Sequence, residues 1–187
     1  MRQAHHMTID RALLLYILHL AEPHGLLNDV RLQQLCFLCE LQLFSKGFRT
    51  LHFEFFRFAY GAFSKDLDND LLSLRRKERV ENFSVAESVV DEVIPLITGS
   101  ATAHEANQKS LEMIQAVVGT YGAQDTTQIT KSVEDVELTT PERPDFKIPI
   151  RDIVFHTIML VPHRIEVKEE FTLTAPELAK LNKLMGY

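Results

Sequence analysis

Phe58-Ala59-Tyr60-Gly61-Ala62-Phe63-Ser64-Lys65-Asp66-Leu67 is the stretch on which the fold turns. An extended, aromatic run carrying Phe53, Phe55, Phe56 and Phe58 meets a Tyr-Gly step. Gly61 supplies a backbone angle that other residues resist, and Tyr60 and Phe63 are placed to pin the turn to a core. Ser64 then caps an amphipathic helix in which Leu67, Leu71 and Leu74 keep i, i+4, i+7 spacing to about Lys77. Residues 51–58 read as a short strand, and residues 79–83 as a small strand or wing.

On the N-terminal side, Met1 to Met7 reads as a loose leader and Thr8 as the cap of a helix to about Ala21. Asp10 falls in that helix's first turn, where the dipole favours it. Ile9, Ala12, Leu13, Tyr16, Ile17 and Leu20 form the main apolar face, and Pro23 and Gly25 end the helix. Asn28 caps a second helix to about Lys46, closed by Gly47. Leu32, Leu35, Cys36, Cys39 and Leu43 make one stripe that Phe37, Leu38, Leu41 and Phe44 widen, so this helix belongs in the middle of a bundle.

On the C-terminal side, two Ser/Thr-x-x-Glu boxes, Ser84 to Glu87 and Thr102 to Glu105, each start a helix. Pro95 ends or kinks the first. The second turns Ile114, Val117, Val118 and Tyr121 inward and ends at Gly122, and Asp125 or Thr126 caps a short helix with Ile129 and Val133. Glu134 to Asp145 is acidic, contains Pro141 and Pro144, and reads as a linker or exposed loop. Residues 150–161 are apolar without a decisive period. Ile165/Val167 and Phe171/Leu173 alternate like paired strand edges, and a third box, Thr174 to Glu177, opens a terminal helix with Leu178, Leu181 and Leu184. The expected fold is mainly α (α+β): a helical bundle, a small β-wing or hairpin, and a C-terminal α/β extension.

The 187 residues suit a domain able to bury a core. Hydrophobic residues make up 45% and charged residues 25%, an ordinary soluble balance. No apolar run approaches the roughly 20 residues that span a bilayer. With two cysteines and no disulfide framework, the default expectation is a cytoplasmic protein. The net charge is −6, with 11 basic and 13 acidic residues to Ile94 and 9 and 13 beyond it. Neither half offers the large positive surface that nucleic-acid binding usually needs.

Sites with recognisable chemistry are missing from the pattern. Cys36 and Cys39 form a CxxC, but mid-helix on an apolar stripe, whereas a redox pair sits at a helix start. His104-Glu105 begins an HExxH, but position 108 is Gln. There is no G-x-S-x-G, P-loop or G-x-G-x-x-G. Asp66, Asp68 and Asp70 read as a solvated outward face, and the histidines as scattered. No catalytic residue, metal or cofactor is expected, and polar groups are expected to be dispersed rather than gathered into one centre.

Two binding surfaces remain. Arg57, Tyr60, Phe63 and Lys65 are the candidate partner-binding residues, since an aromatic pair beside two cations is a common protein anchor. Arg75, Arg76, Lys77 and Arg79 are the candidate nucleic-acid contacts, although cations at a helix end also offset its dipole. Residues 115–134 have a helix-turn-helix outline in which Gln124, Thr127, Gln128 and Lys131 face a base-reading role, opposed by Asp125, Glu134, Asp135 and Glu137.

The order of these segments resembles a family. Arg31-Leu32-Gln33-Gln34-Leu35-Cys36-Phe37-Leu38, the Phe58 to Leu67 stretch, the leucine-spaced helix with its basic end, and Val118-Gly119-Thr120-Tyr121-Gly122 together look like the Panacea-domain proteins, the SocA-like antitoxin group, and YwgA-type relatives. The likeness covers roughly residues 9–135. Ala62 stands where the family has proline after Tyr-Gly, and Arg31 where lysine is typical. The resemblance implies a Panacea-like helical domain over 1–135, with 136–187 as an extension packed on it. It also implies a non-enzymatic antitoxin-like module that neutralises or modulates a partner protein, a toxin encoded nearby, by direct contact. The alternative is a winged-helix-like DNA-binding regulator. No membrane partner is expected, and self-association stays open.

Overall fold

The computed structural model describes residues 2–25, 27–140 and 142–187. In chain order its elements are α1 (Ala4–Ala21), α2 (Asp29–Ser45), β1 (Phe48–Arg49), β2 (Phe55–Phe58), β3 (Gly61–Phe63) and α3 (Lys65–Arg76). They continue with β4 (Val80–Glu81), β5 (Ser84–Val85), α4 (Glu87–Ala103), α5 (Glu105–Tyr121) and α6 (Thr126–Glu134). The C-terminal part supplies β6 (Glu137–Thr140), β7 (Arg143–Pro149), β8 (Ile158–Leu160), β9 (Glu169–Glu170) and α7 (Ala175–Met185). The fold is mainly α with small sheets, an α+β arrangement.

α1 is the most enclosed element. Ala12 through Leu18 are all buried, so its apolar character runs right round, as a bundle centre demands. It packs against α4, α5, α7, α3 and α2. Each fully buried Leu or Ile there contributes about 1.5–3 kcal/mol over its exposed state. α2 lies beside it with Leu32, Leu35, Cys36, Phe37, Cys39 and Leu43 inside, and packs on α5 and α6. Both cysteines are free and buried, and burial pushes both thiols upward, away from the reactive thiolate.

The strands lie at the bundle's side. β3-β2-β8 is a three-stranded antiparallel sheet, β1 pairs with β9 in parallel, and β4-β5 is the small wing expected at 79–83. The segment from 136 onward therefore supplies strands to sheets begun before residue 60, and α7 packs on α1 and α4.

Several local expectations are corrected. α1 starts at Ala4, so the leader is largely helical and Thr8 is no cap: buried in the second turn, it donates to Ala4 O and Asn182 Oδ1. Met1, read as part of the leader, and Pro141, read as part of the linker, lie outside the described residues. Ser84 caps nothing, because the wing claims it as strand and Val85 is buried opposite Val80; α4 starts after Ala86. Thr102 lies in the last turn of α4, and His104, in extended conformation, separates α4 from α5. Pro95 is carried inside α4. The linker forms the exposed β6-β7 hairpin, and Ile165/Val167 and Phe171/Leu173 lie outside strands. The box at Thr174 and Glu177 forms as read, as does the Asp125 cap of α6.

Candidate functional site

The β2-β3 turn is held by two neighbouring glutamines of α2. Gln34 Nε2 donates to Ala62 O at 2.9 Å while its Oε1 accepts Ala62 N–H at 2.9 Å. Gln33 does the same for Ser64, with Nε2 to Ser64 O at 3.1 Å and Ser64 N–H to Oε1 at 2.8 Å. Two side-chain amides thus behave as a neighbouring strand for β3, satisfying backbone groups that burial would otherwise orphan. Gly61 makes the approach feasible: its φ is +95°, and a Cβ there would collide with Gln34 Oε1. Arg31 Nη2 donates to Gly122 O at 2.7 Å. The Arg31–Leu38 segment is therefore bonded both to the Phe58–Leu67 stretch and to Gly122, joining three of the four segments that carry the family resemblance.

Arg57 is buried beneath this turn. Its guanidinium reaches Glu134 Oε1 at 2.8 Å, Gly61 O at 3.3 Å and Phe58 O, and lies 5.1 Å from the centre of the Phe155 ring. It ties β2 to α6 and to the loop before β8. Tyr60 and Lys65 are exposed, and Phe63 is half-buried.

Around the turn lies the molecule's main concentration of exposed apolar surface. Among the described residues eight large apolar side chains are exposed, and five of them, Phe58, Tyr60, Val154, Phe155 and Ile158, belong to β2, its turn and β8 with the preceding loop. Phe56 pairs with Ile158 in register, and Phe58 packs 5.3 Å from Phe63 and 6.0 Å from His156, ring to ring. Beside Tyr60 a groove of about 150 Å³ has Val30, Phe58, Ala62 and Phe63 as apolar walls and Asp29 and Asp68 at its rim. β8 is an edge strand. Patches of this kind mark interaction sites.

The basic turn is engaged locally. Arg75 donates to Asn82 O at 3.0 and 2.8 Å, approaches Asp29 at 3.5 Å and stacks over Phe83. Lys77 reaches Gly186 O and the Tyr187 ring. Arg79 is half-buried, and Arg76 is exposed. In the helix-turn-helix outline, Gln128 is taken by the α6 capping box and Gln124 Oε1 accepts from Ser132, while Thr127 and Lys131 are exposed.

Sequence reading missed a buried ionic cluster. Asp10, fully enclosed, accepts the His52 backbone N–H at 3.0 Å, His52 Nδ1–H at 2.9 Å and Arg2 Nη1–H at 3.1 Å. Asp70 accepts from Arg2 at 2.7 Å and Arg11 at 2.7 Å. Glu40 takes the Phe53 N–H at 3.1 Å on one oxygen, and its other oxygen is buried without a partner. Burial pushes the Asp10 carboxyl up against the pull of His52 and Arg2; it pushes Glu40 far up, and the Asp10 charge adds to that. The dispersed-polarity expectation and the outward placement of Asp70 are corrected here. The signal was legible: Asp10 stands i−3 and i−4 from Leu13 and Leu14, Glu40 is i+4 from Cys36 and i−3 from Leu43, and Asp70 lies between Leu67 and Leu74. An acid inside an apolar stripe is a buried acid.

Among the described residues no group of three or more His, Cys, Asp or Glu is set to hold a metal ion, and no helix is long and apolar enough to cross a membrane. No family model, curated protein or solved structure matches the chain.

Proposed function

We propose that this chain is a non-enzymatic protein-binding module, antitoxin-like, which holds a partner protein on the aromatic face formed by the β2-β3 turn and β8. The observation that carries the reading is the gathering of the exposed Phe58, Tyr60, Val154, Phe155 and Ile158 on β2, its turn and the edge strand β8 with its preceding loop. Aromatic anchors over a rigid frame are what protein interfaces concentrate their energy in, and here the frame is fixed by Gln33, Gln34 and Arg57. The Panacea resemblance supports the same class of function and supplies the partner type, a toxin encoded nearby. The DNA-regulator alternative draws less support, because Arg75 and Lys77 are engaged by neighbouring carbonyls, Asp29 and aromatic rings.

The test is a titration of the purified chain with the product of the adjacent gene. Tyr60→Ser combined with Phe155→Ser is expected to weaken the complex by about tenfold or more while leaving the circular dichroism unchanged. Arg75→Glu with Arg76→Glu is expected to bind as the wild type does. Unaltered affinity in the aromatic variant removes the face from the reading. Affinity for duplex DNA that falls steeply with salt and vanishes in the charge-reversed variant replaces it with the regulator.

A further inference from the structure

A cavity of about 430 Å³ lies over the buried ionic cluster, between the first turn of α1, the segment joining β1 to β2, the start of α3 and the Pro162–Arg164 turn. That volume suits a small-molecule ligand. His6 and His52 both line it, stacked with ring centroids 4.0 Å apart and planes 10° from parallel.

Their partners assign their tautomers. His52 gives its Nδ1–H to Asp10, so its Nε2 is an acceptor, with no partner among the described residues. His6 takes the Gln3 N–H on Nδ1 at 3.3 Å, so its Nε2 carries the proton. Burial, then the neighbouring His52 and His5, hold the His6 ring neutral by lowering its pKa to about 4; Arg49 acts the same way and Glu170 opposes. Arg49 gives its terminal N–H groups to Glu170 and, at 2.6 Å, Ile165 O, leaving a buried Nε–H unpartnered. Arg2, held by Asp10 and Asp70, leaves its Nε–H in the same state.

The lining thus sets the His6 Nε2–H and the Arg2 and Arg49 guanidinium groups beside the His52 Nε2 acceptor. Sulfate and carboxylate carry acceptors alone and meet the His52 Nε2 lone pair with another lone pair. A phosphate head that retains a proton supplies both kinds of partner. We propose that this cavity binds the head group of a small phosphomonoester, with its O–H donating to His52 Nε2 and its oxygens accepting from His6 Nε2–H and Arg49. Met7 and Pro162 provide apolar wall for the organic remainder. Glu54, 3.8 Å from His163 Nδ1, and Asp66 line the same cavity and oppose more highly charged di- and triphosphates.

The proposal is tested on the full chain by following the imidazole nitrogen resonances during titration with glycerol phosphate, inorganic phosphate and sulfate at constant ionic strength. At neutral pH, saturable shifts at His6 and His52 are expected with glycerol phosphate, with sulfate about tenfold weaker or more. His6→Phe keeps a ring on His52 but removes the donor, and about a tenfold loss is expected; Arg49→Met provides a second reading if that variant does not fold. Glu54→Gln is expected to tighten binding. Absence of a saturable response to either phosphate, an equal response to sulfate at neutral pH, or wild-type binding by both variants overturns the proposal. Equal affinity for inorganic phosphate overturns the phosphomonoester in favour of the free anion.

Discussion

Gly61 and Glu40 show how far a single residue reaches in this molecule. Gly61→Ala places a side chain at φ +95° and drives it into Gln34 Oε1. The backbone term alone is about 1–3 kcal/mol, and displacing Gln34 also breaks the pair of bonds to Ala62. Urea unfolding is expected to shift to lower midpoints by at least the backbone term; an unchanged midpoint refutes the account of the turn. Glu40 acts through protons. Its folded pKa stands above its unfolded value, so the folded state binds the extra proton. That contribution is complete below the unfolded carboxylate range and is lost as pH rises through the folded pKa. Glu40→Gln keeps an acceptor for Phe53 N–H without a titrating group. It is expected to flatten the fall in melting temperature that accompanies rising pH above the unfolded carboxylate range, and to exceed the wild type above the folded pKa. His6 has the opposite sign: with its pKa lowered from 6.5 to about 4, its contribution is present above 6.5 and lost as pH falls through that window. The Gly61 turn was legible because glycine after an aromatic run admits few other conformations. The stacking of His6 on His52 was not, since 46 residues separate them and no local period links them.

Elements here are fastened by a few polar ties laid over apolar packing, and Arg57 is the clearest. It joins β2, the turn and α6 through Glu134, Gly61 O and Phe58 O. Arg57→Ala leaves those acceptors without their donor, and a charged hydrogen bond of this kind contributes roughly 1.5–3 kcal/mol. Arg57→Lys is expected to recover little of the loss, because a single ammonium lacks the planar fork that meets Glu134 and the turn carbonyls together. Thermal melts of the two variants decide it: a lysine variant as stable as the wild type shows that charge alone suffices. Element existence was largely readable, because α1, α2, α3, α5 and α7 carry long apolar stripes, and Asn28, Ser64 and Thr174 cap α2, α3 and α7 as read. Element starts were less so. Ser84-x-x-Glu87 has the form of a cap but is overridden by the pairing of Val85 with Val80, a tertiary preference that local sequence does not contain. Arg57 itself read as a surface cation because nothing near it in sequence announces Glu134, 77 positions away.

At the scale of the whole molecule, the C-terminal extension is part of the same body as the helices before it. β8 covers one edge of β2, β9 pairs with β1, and Asn107 bridges Ser100, Thr172 O and Thr172 N–H. Ile150, Leu160, Phe171, Leu181 and Met185 are buried in the common core. Removing 136–187 exposes the apolar partners of all five side chains, and each fully buried residue of this size accounts for about 1.5–3 kcal/mol. Their sum reaches the roughly 5–15 kcal/mol that separates a typical folded domain from its unfolded chain. A 1–135 fragment is therefore expected to keep much of its helical circular dichroism while losing a cooperative melt and binding a hydrophobic dye, the signature of collapse without fixed packing. It is also expected to lose the aromatic face, because Val154, Phe155 and Ile158 leave with the extension and Phe58 loses its contact with His156. A fragment that melts cooperatively near the full chain's temperature makes 136–187 a dispensable cover instead, and confines any partner-binding surface to the Tyr60 side of the sheet.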